Sequence, residues 1–299
     1  NTCHIREKAA EKIYSELGRI VPYKTNLKKQ GKQLNIVVAG CVAQAEGKEI
    51  IKRQPMVDVV VGPQTYHRLP EILNRLSNKP RKIIDTEFPI ENKFDELQKT
   101  RINKNAVAFL SIQEGCDKFC SFCVVPYTRG AEYSRPVLDV ISEAKNLIQH
   151  GAKEICLLGQ NVNAYHGVYK NKTLSLDELI MEVANLSGIK RIRYMTSHPV
   201  DMTEDLIQAH GKVNALIPYL HLPVQSGDNV VLKSMNRKYT AESYLKIIDK
   251  LKNVREDMAF SSDFIIGFPG ETKKAFDNTL KLVDEVKYCQ AYSFKYSRR

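Results

Sequence analysis

The sequence predicts an α/β protein in which a small parallel α/β domain precedes a longer series of alternating strands and helices. Short apolar runs rich in β-branched residues alternate with amphipathic stretches along the whole chain. After residue 106 this alternation becomes regular, with a strand followed by a helix about six times. Such repeats fold as a parallel barrel, an open part-barrel or an open doubly wound sheet, and periodicity alone does not separate these architectures.

The first part of the chain contains two short buried strands. Residues 35–39 and 57–61 are continuous apolar runs, and each run ends at a glycine. Helices are predicted over residues 7–17 and 65–73, with a shorter one after Gly47. Sites in small parallel sheets lie at the carboxyl ends of the strands, so residues just beyond these glycines are candidates for function.

The chain is expected to divide into three segments. Residues 1–80 form the first domain, residues 81–105 have mixed charge and form a linker, and residues 106–299 form the repeated part. The six predicted strands of the repeated part are 106–111, 154–158, 191–196, 219–222, 260–266 and 291–296. The five predicted helices are 136–150, 175–186, 203–210, 239–253 and 274–287. Because residue 1 is Asn and the last residues stop abruptly, we expect a piece of a longer protein.

Composition favours a polyanionic partner. The formal net charge is +11, from 45 Lys and Arg against 34 Asp and Glu, and nucleic acid is the usual partner of such an excess. Many basic proteins bind no nucleic acid, so charge alone leaves both interpretations open. Lysines 24, 28, 29 and 32 are expected in one loop, as a contact patch or a solvated linker. No membrane-spanning stretch or signal peptide is visible, and we expect a cytoplasmic protein.

Three cysteines lie within eight residues, directly after the first strand of the repeated part. Cys116, Cys120 and Cys123 have the spacing C-x3-C-x2-C. Three thiolates on one loop can hold three irons of a cubane cluster and leave the fourth iron open. A structural zinc site normally has four ligands, often as two separated pairs, so zinc remains a minor alternative.

These residues carry a family resemblance. The C-x3-C-x2-C loop, with an aromatic residue before its last cysteine, resembles the signature of radical S-adenosylmethionine enzymes. The longer segment resembles the methylthiotransferase branch, in particular the enzymes that act on isopentenyladenosine in tRNA. The segments that agree with this branch are residues 116–130, 134–136, 158–165, 196–199, 221–227 and 261–272. The resemblance implies a partial (βα)6 radical SAM barrel, with the first strand and first cysteine of the N-terminal domain and a C-terminal RNA-binding β-domain outside this chain.

The resemblance also implies the cofactors, which are two [4Fe–4S] clusters and S-adenosyl-L-methionine. Cys116, Cys120 and Cys123 match the ligands of the first cluster. Cys3 and Cys41 match ligands of an auxiliary cluster whose third cysteine lies outside the chain, so this piece is expected to be inactive by itself. Alone, either cysteine would more often be a buried or inert residue.

Other loops offer polar groups for the cofactor and the substrate. The residues predicted to bind S-adenosylmethionine are Gln160, Asn161, Gln225, Ser262, Asp263, Gly267 and Gly270. Each is also an ordinary turn residue. The substrate candidates are Arg129 and Arg135, which flank the cysteine loop and could instead form a local salt bridge with Glu132.

The expected activity is transfer of a methylthio group to C2 of N6-isopentenyladenosine beside the tRNA anticodon. The expected partners are tRNA and an electron donor such as flavodoxin or ferredoxin, and the sequence does not predict an oligomeric state. One alternative is a sister enzyme that acts on threonylcarbamoyl-adenosine in tRNA or on a ribosomal-protein aspartate. An alternative of another class is a non-catalytic iron–sulfur RNA-binding module.

Overall fold

The described residues form two compact units. The structure, a computed structural model, describes residues 1–4, 7–78, 81–89, 93–96 and 105–298. The first unit lies within Asn1–Gln98 together with Cys123–Gly130, and the second within Lys99–Phe122 together with Ala131–Arg298. The predicted boundaries at residues 80 and 105 stay predictions, and part of the predicted linker lies outside the described residues.

The first unit is built on a three-stranded parallel sheet in the order β1-β2-β3. Val42, Ile50 and Val60 are fully buried in its core, which continues onto the first helix through Ile13 and Leu17. Its elements are α1 (Glu7–Lys29), β1 (Val37–Ala39), α2 (Cys41–Glu46), α3 (Lys48–Arg53), β2 (Val59–Val61), a 3₁₀ helix (Pro63–Arg68), α4 (Leu69–Asn78), β3 (Ile83–Asp85), α5 (Lys93–Glu96) and α6 (Val125–Arg129).

Two features of this unit differ from the sequence-based expectation. Helix α1 continues to Lys29 with Pro22 inside it, so the lysines expected in a loop are largely helical. Lys24 is held by an ion pair with Asp58, whereas Lys28 and Lys29 are exposed in the last turn. Residues 83–85, expected in the linker, instead form β3, because this short run completes the parallel sheet beside β2.

The second unit contains the six parallel strands that the sequence predicts. They form two three-stranded sheets, ordered β10-β7-β4 and β11-β12-β13. Its elements are β4 (Val107–Ser111), β5 (Gln113–Glu114), β6 (Tyr133–Ser134), α7 (Val137–Gln149), β7 (Glu154–Leu158), a 3₁₀ helix (Val162–Ala164), β8 (His166–Tyr169), β9 (Lys172–Ser175), α8 (Leu176–Ala184), β10 (Arg191–Met195), a 3₁₀ helix (Pro199–Asp201), α9 (Glu204–Lys212), β11 (Tyr219–His221), α10 (Asn229–Ser234), α11 (Ala241–Val254), β12 (Ala259–Ile266), α12 (Lys273–Val286) and β13 (Gln290–Lys295).

The two sheets of this unit follow one another in an open part-barrel. A parallel bridge between Ile192 and Leu216 connects β10 to the approach of β11, and one apolar core runs beneath both sheets. Among the described strands, no pairing joins β4 to β13, so the barrel is not closed. The α/β class and the partial six-stranded barrel are therefore confirmed. None of the described helices has the length and apolarity to cross a membrane.

Candidate functional site

In the second unit, the loop that carries Cys116 and Cys120 begins directly after β5. Gly115 has a φ of 77° and Phe119 a φ of 48°, so the backbone enters the left-handed region twice within five residues. Only glycine adopts this region without cost, which makes Phe119 a strained position. Cys120 is 8% exposed, and Cys116 is half-buried. The loop is therefore a compact double turn at the carboxyl end of the first barrel strands.

Two glutamine side chains hold the entrance of this loop. Gln160 Oε1 accepts a hydrogen bond of 2.9 Å from the Gly115 amide, and Gln113 Nε2 donates one of 2.9 Å to the Gly115 carbonyl. Gln113 Oε1 also accepts from the amides of Gln160 and Asn161, at 2.9 and 3.1 Å. Gln113 is 2% exposed, and these bonds link the cysteine loop to the loop after β7.

A second polar network surrounds Lys118. Asp201 accepts from Lys118 Nζ and from Asn161 Nδ2, at 2.8 Å each. The side chain of Glu132 accepts from Asn161 Nδ2 at 3.2 Å and from the Asp117 amide at 3.3 Å. Burial alone would lower the pKa of Lys118, but the hydrogen bond and the charge of Asp201 outweigh it, so the pKa is raised and the ammonium stays charged.

Cys120 has a cationic neighbour that the sequence did not indicate. Arg237, between α10 and α11, donates from Nη1 to Cys120 Sγ at 3.4 Å. Its guanidinium is buried, with the residue 7% exposed. Arg237 thus places a fixed positive charge beside a sulfur that is predicted to bind iron.

The predicted residues near β11 and β12 lie on neighbouring segments: Ser262 and Asp263 within β12, and Gln225 in the segment after β11. Ser262 is fully buried, and its hydroxyl accepts from the Val224 amide at 2.9 Å and donates to the Leu222 carbonyl at 3.1 Å. Gln225 has a φ of 72°, and its amide donates to the Asp263 carbonyl at 2.9 Å. Asp263 Oδ2 lies 3.5 Å from His221 Nε2. The Ser262 hydroxyl thus fastens β12 to the segment after β11, and a cofactor role for all three predicted residues stays a prediction.

The two predicted glycines have a conformational reason for their identity. Gly267 and Gly270 lie in the turn after β12 with φ of 75° and 86°. A Cβ at either position would meet no atom within 4 Å, so crowding does not select glycine there. Their role in approaching an adenine stays a prediction.

Two buried polar atoms near the cysteine loop lack a partner among the described residues. These atoms are Oδ1 of Asn161, which is 1% exposed, and Nε2 of His198, which is 7% exposed. Burial, with the charges of Arg237 and Lys118, lowers the pKa of His198 to about 2, so its imidazole is neutral. His198 Nδ1 accepts from the Val200 amide, which leaves Nε2 as a donor. Buried groups of this kind normally have partners, and a bound ligand is one way to supply them.

In the first unit, Cys3 and Cys41 are neighbours. Gly40 has a φ of 103°. Residues 1–2 pack so closely against it that an added Cβ would lie 2.2 Å from Asn1 Oδ1. Thr2 donates to the Ala39 carbonyl at 3.0 Å and accepts from the Val42 amide at 3.2 Å. These bonds bring Cys3 to the start of α2, where Cys41 lies.

The surroundings of Cys41 favour the thiolate form of its sulfur. The hydrogen bond from Cys3 lowers its pKa, burial opposes this, and the charge and hydrogen bond of Arg129 lower it further, to about 5. Arg129 Nε lies 3.3 Å from Cys41 Sγ. Arg129, which the sequence predicts to contact substrate, therefore contacts the sulfur of a cysteine in the first unit.

Arg135 is placed differently. It is 4% exposed, donates to the Ser111 carbonyl at 2.6 Å and pairs with Glu143 at 2.8 Å. The substrate roles of both arginines stay predictions. Of the remaining cysteines, Cys156 is buried, and Cys289 is exposed with its sulfur donating to the Phe260 carbonyl.

The sulfur atoms allow a test of whether iron–sulfur clusters fit. Across the described part of the chain, no three His, Cys, Asp or Glu side chains gather as a complete metal-ligand set. The donor chemistry nevertheless fits. A guanidinium contacts Cys120 in one unit and Cys41 in the other, and the pKa of Cys41 is about 5. Soft thiolates stabilised in this way are the ligands that iron–sulfur clusters use.

Comparisons with known proteins agree with this chemistry. Residues 110–283 match the family model described as the radical SAM superfamily, and residues 1–62 match one described as uncharacterized protein family UPF0004. The solved structure of the radical S-adenosylmethionine methyltransferase TsrM from Kitasatospora setae, with cobalamin and a [4Fe-4S] cluster bound, superposes with a TM-score of 0.68 at 14% identity, covering 99% of this chain and 62% of that one. The cobalamin-dependent S-adenosylmethionine radical enzyme OxsB gives 0.66 at 13%, covering 91% and 42%. At such identities the likeness concerns the fold alone.

The chain therefore belongs to the radical SAM superfamily. Its curated relatives narrow the assignment. It is 58% identical to proteins of Ruegeria sp. (strain TM1040) and Wolbachia pipientis subsp. Culex pipiens (strain wPip), each aligned over 100% of this chain and 67% of the relative. A protein of Jannaschia sp. (strain CCS1) is also 58% identical, with 64% of its length covered. All three are named tRNA-2-methylthio-N(6)-dimethylallyladenosine synthase, and the chain belongs to their family while spanning about two thirds of their length. The resemblance to the methylthiotransferase branch is confirmed.

Proposed function

We propose that the whole protein is a radical SAM methylthiotransferase that adds a methylthio group to C2 of N6-isopentenyladenosine beside the tRNA anticodon. The observation that carries the proposal is the C-x3-C-x2-C loop, placed at the carboxyl end of the first barrel strands and fastened by Gln113 and Gln160. The names of relatives at 58% identity support the substrate.

The chain's own residues divide the work between them. Cys116, Cys120 and Cys123 would bind three irons of one [4Fe–4S] cluster, and Cys3 and Cys41 two irons of a second. When bound, the first cluster supplies the electron that cleaves S-adenosylmethionine, and the second holds the sulfur that is transferred.

Positioning falls to the polar residues around the first cysteine loop. The Gln113 and Gln160 bonds fix the loop backbone. Asn161 Oδ1 is buried without a partner among the described residues, and it would accept from the amino group of S-adenosylmethionine. Its amide nitrogen is already held by Asp201 and Glu132, so the oxygen is fixed in orientation.

The partners follow from the proposed reaction. The net charge of +11 suits a tRNA, and a base in a single-stranded loop can be splayed into a protein pocket. A low-potential one-electron donor of the flavodoxin or ferredoxin kind would reduce the cluster. Because tRNA modification is the proposed activity, we place the protein in the cytoplasm.

The sister enzymes on threonylcarbamoyl-adenosine or on a ribosomal-protein aspartate are less well supported, because the relatives are named for dimethylallyladenosine. A non-catalytic iron–sulfur RNA-binding module is less well supported because the three-cysteine loop and its polar supports are intact.

Nucleoside mass spectrometry of tRNA tests the proposal. A strain lacking the gene is complemented with the wild-type protein, with Cys120→Ala, or with Cys289→Ala as a matched control at an exposed cysteine. The wild type and the control are expected to restore 2-methylthio-isopentenyladenosine, while Cys120→Ala leaves unmodified isopentenyladenosine. Restoration of a methylthiolated threonylcarbamoyl-adenosine instead would favour the sister enzyme. Restoration by Cys120→Ala would refute the radical mechanism.

A further inference from the structure

Arg237 is a buried cation whose contacts all lie in the second unit. Nη1 donates to Cys120 Sγ at 3.4 Å, Nη2 to the Pro223 carbonyl at 2.7 Å, and Nε to the Tyr239 hydroxyl at 2.8 Å. The Tyr239 hydroxyl in turn donates to the Val224 carbonyl at 2.7 Å. All three nitrogens of the guanidinium are therefore fixed, and the side chain joins the cysteine loop to the segment after β11.

Among the described residues, Arg237 lacks a carboxylate partner. No Asp or Glu of the described residues lies within 4.0 Å of its guanidinium, whereas Arg135, which is equally buried, pairs with Glu143. A buried cation without a compensating charge is strongly destabilising. Its hydrogen-bond partners in the structure are a carbonyl, a hydroxyl and a sulfur. Of these three partners, the sulfur is the one that carries negative charge when Cys120 binds iron as a thiolate.

We propose that Arg237 is a positioning residue that raises the reduction potential of the iron–sulfur cluster held by Cys120. A guanidinium is protonated at all relevant pH values, so it stays cationic in both oxidation states. Reduction adds one electron, from a low-potential one-electron donor, and makes the cluster more negative by one charge. The fixed cation beside a ligand sulfur stabilises that added charge, and no proton needs to move. Hydrogen bonds and charges at ligand sulfurs are established means of setting such potentials.

The inference rests on the proposed function, because it requires Cys120 to be a cluster ligand. A purely structural alternative exists, since the bonds to Pro223 and Tyr239 would tie two loops together without any cluster. The two readings differ in one measurable quantity. A structural tie changes stability alone, whereas a tuning cation changes the reduction potential of a cluster that still assembles.

The test compares three variants of the complete protein after anaerobic reconstitution with iron and sulfide. Arg237→Gln removes the cation, and Arg237→Lys keeps it while losing the three-way contact. Arg255→Gln is the matched control, because Arg255 also donates to buried carbonyls, those of Leu216 and His210, but contacts no cysteine. Iron content and far-ultraviolet circular dichroism report assembly and folding, and reductive titration followed by electron paramagnetic resonance gives the midpoint potential.

We expect Arg237→Gln to bind normal iron and to lower the ratio of reduced to oxidised cluster at least tenfold at a fixed potential, which corresponds to 59 mV for one electron. Arg237→Lys should fall between this variant and the wild type, and Arg255→Gln should match the wild type. Unchanged potentials in both Arg237 variants, or folded Arg237 variants that hold no cluster, would overturn the inference. A wild-type protein that assembles no cluster would instead refute the proposed function itself.

Discussion

Replacing Gly40 by alanine tests whether the first unit presents Cys3 and Cys41 as a pair. Gly40 has a φ of 103°, and an added Cβ would lie 2.2 Å from Asn1 Oδ1 and 2.8 Å from the Thr2 carbonyl oxygen. With φ at 103° and ψ at −167°, the backbone conformation alone costs an alanine about 1–3 kcal/mol. The Thr2 carbonyl oxygen is backbone, so residues 1–3 must move to relieve the overlap.

That movement breaks the two hydrogen bonds that hold residues 1–3 in place. Thr2 donates to the Ala39 carbonyl and accepts from the Val42 amide, and each bond contributes about 1 kcal/mol. With the conformational cost, we expect Gly40→Ala to destabilise this arrangement by about 3–5 kcal/mol, which is a factor of more than a hundred. The reconstituted variant should therefore lose the iron of one cluster and keep that of the other. Iron analysis and alkylation of Cys3 by iodoacetamide measure the loss.

Gly31→Ala is the matched control for this experiment. Gly31 is in the same unit and has a φ of 70°, but a Cβ there would meet no atom within 4 Å. The control thus places an alanine at a positive φ without displacing residues 1–3, and it should keep wild-type iron and wild-type alkylation of Cys3. If Gly40→Ala also kept both, the argument that Gly40 seats Cys3 beside Cys41 would be wrong.

Three further predictions address the second unit. Asp201→Asn removes the negative charge that pairs with Lys118. In a single-turnover assay, cleavage of S-adenosylmethionine should slow about tenfold at unchanged iron content. A wild-type rate would show that the Lys118 network does not position the cysteine loop for this reaction. Burial lowers the pKa of His210 to about 4, so below pH 6.5 the unfolded chain takes up a proton that the folded one does not, and stability falls. His210→Asn should abolish about 2 kcal/mol of that loss between pH 7 and pH 5, measured by urea unfolding at both pH values, and an unchanged loss would contradict the assignment. Arg135→Met leaves the half-buried Glu143 without this partner and should lower the free energy of unfolding by about 3 kcal/mol; unchanged stability with weaker tRNA binding would support the substrate role.

The sequence predicts much of this fold because its strands are local patterns. The six barrel strands are short runs of three to eight residues that alternate regularly with amphipathic helices, and the structure has a strand at each predicted position. Elements whose formation depends on distant residues are harder to predict. The run 83–85 is a strand only because β2 offers an open edge beside it. Helix α1 continues past Pro22, and Lys24, two residues further along, pairs with the distant Asp58.

In the site, too, local features can be predicted from the sequence and contacts between distant residues cannot. The residue pairs most useful for testing function therefore came from the structure. Cys116, Cys120 and Cys123 lie within eight residues, so their spacing can be read from the sequence. The cations beside the sulfurs cannot be found in this way, because Arg237 is 117 residues from Cys120 and Arg129 is 88 residues from Cys41. An arginine in a polar segment carries no local sign of burial, because only the folded chain decides whether water or protein surrounds it. Ligand identity can thus be predicted from spacing, whereas the electrostatic environment that sets the potential of a ligand sulfur requires the tertiary structure.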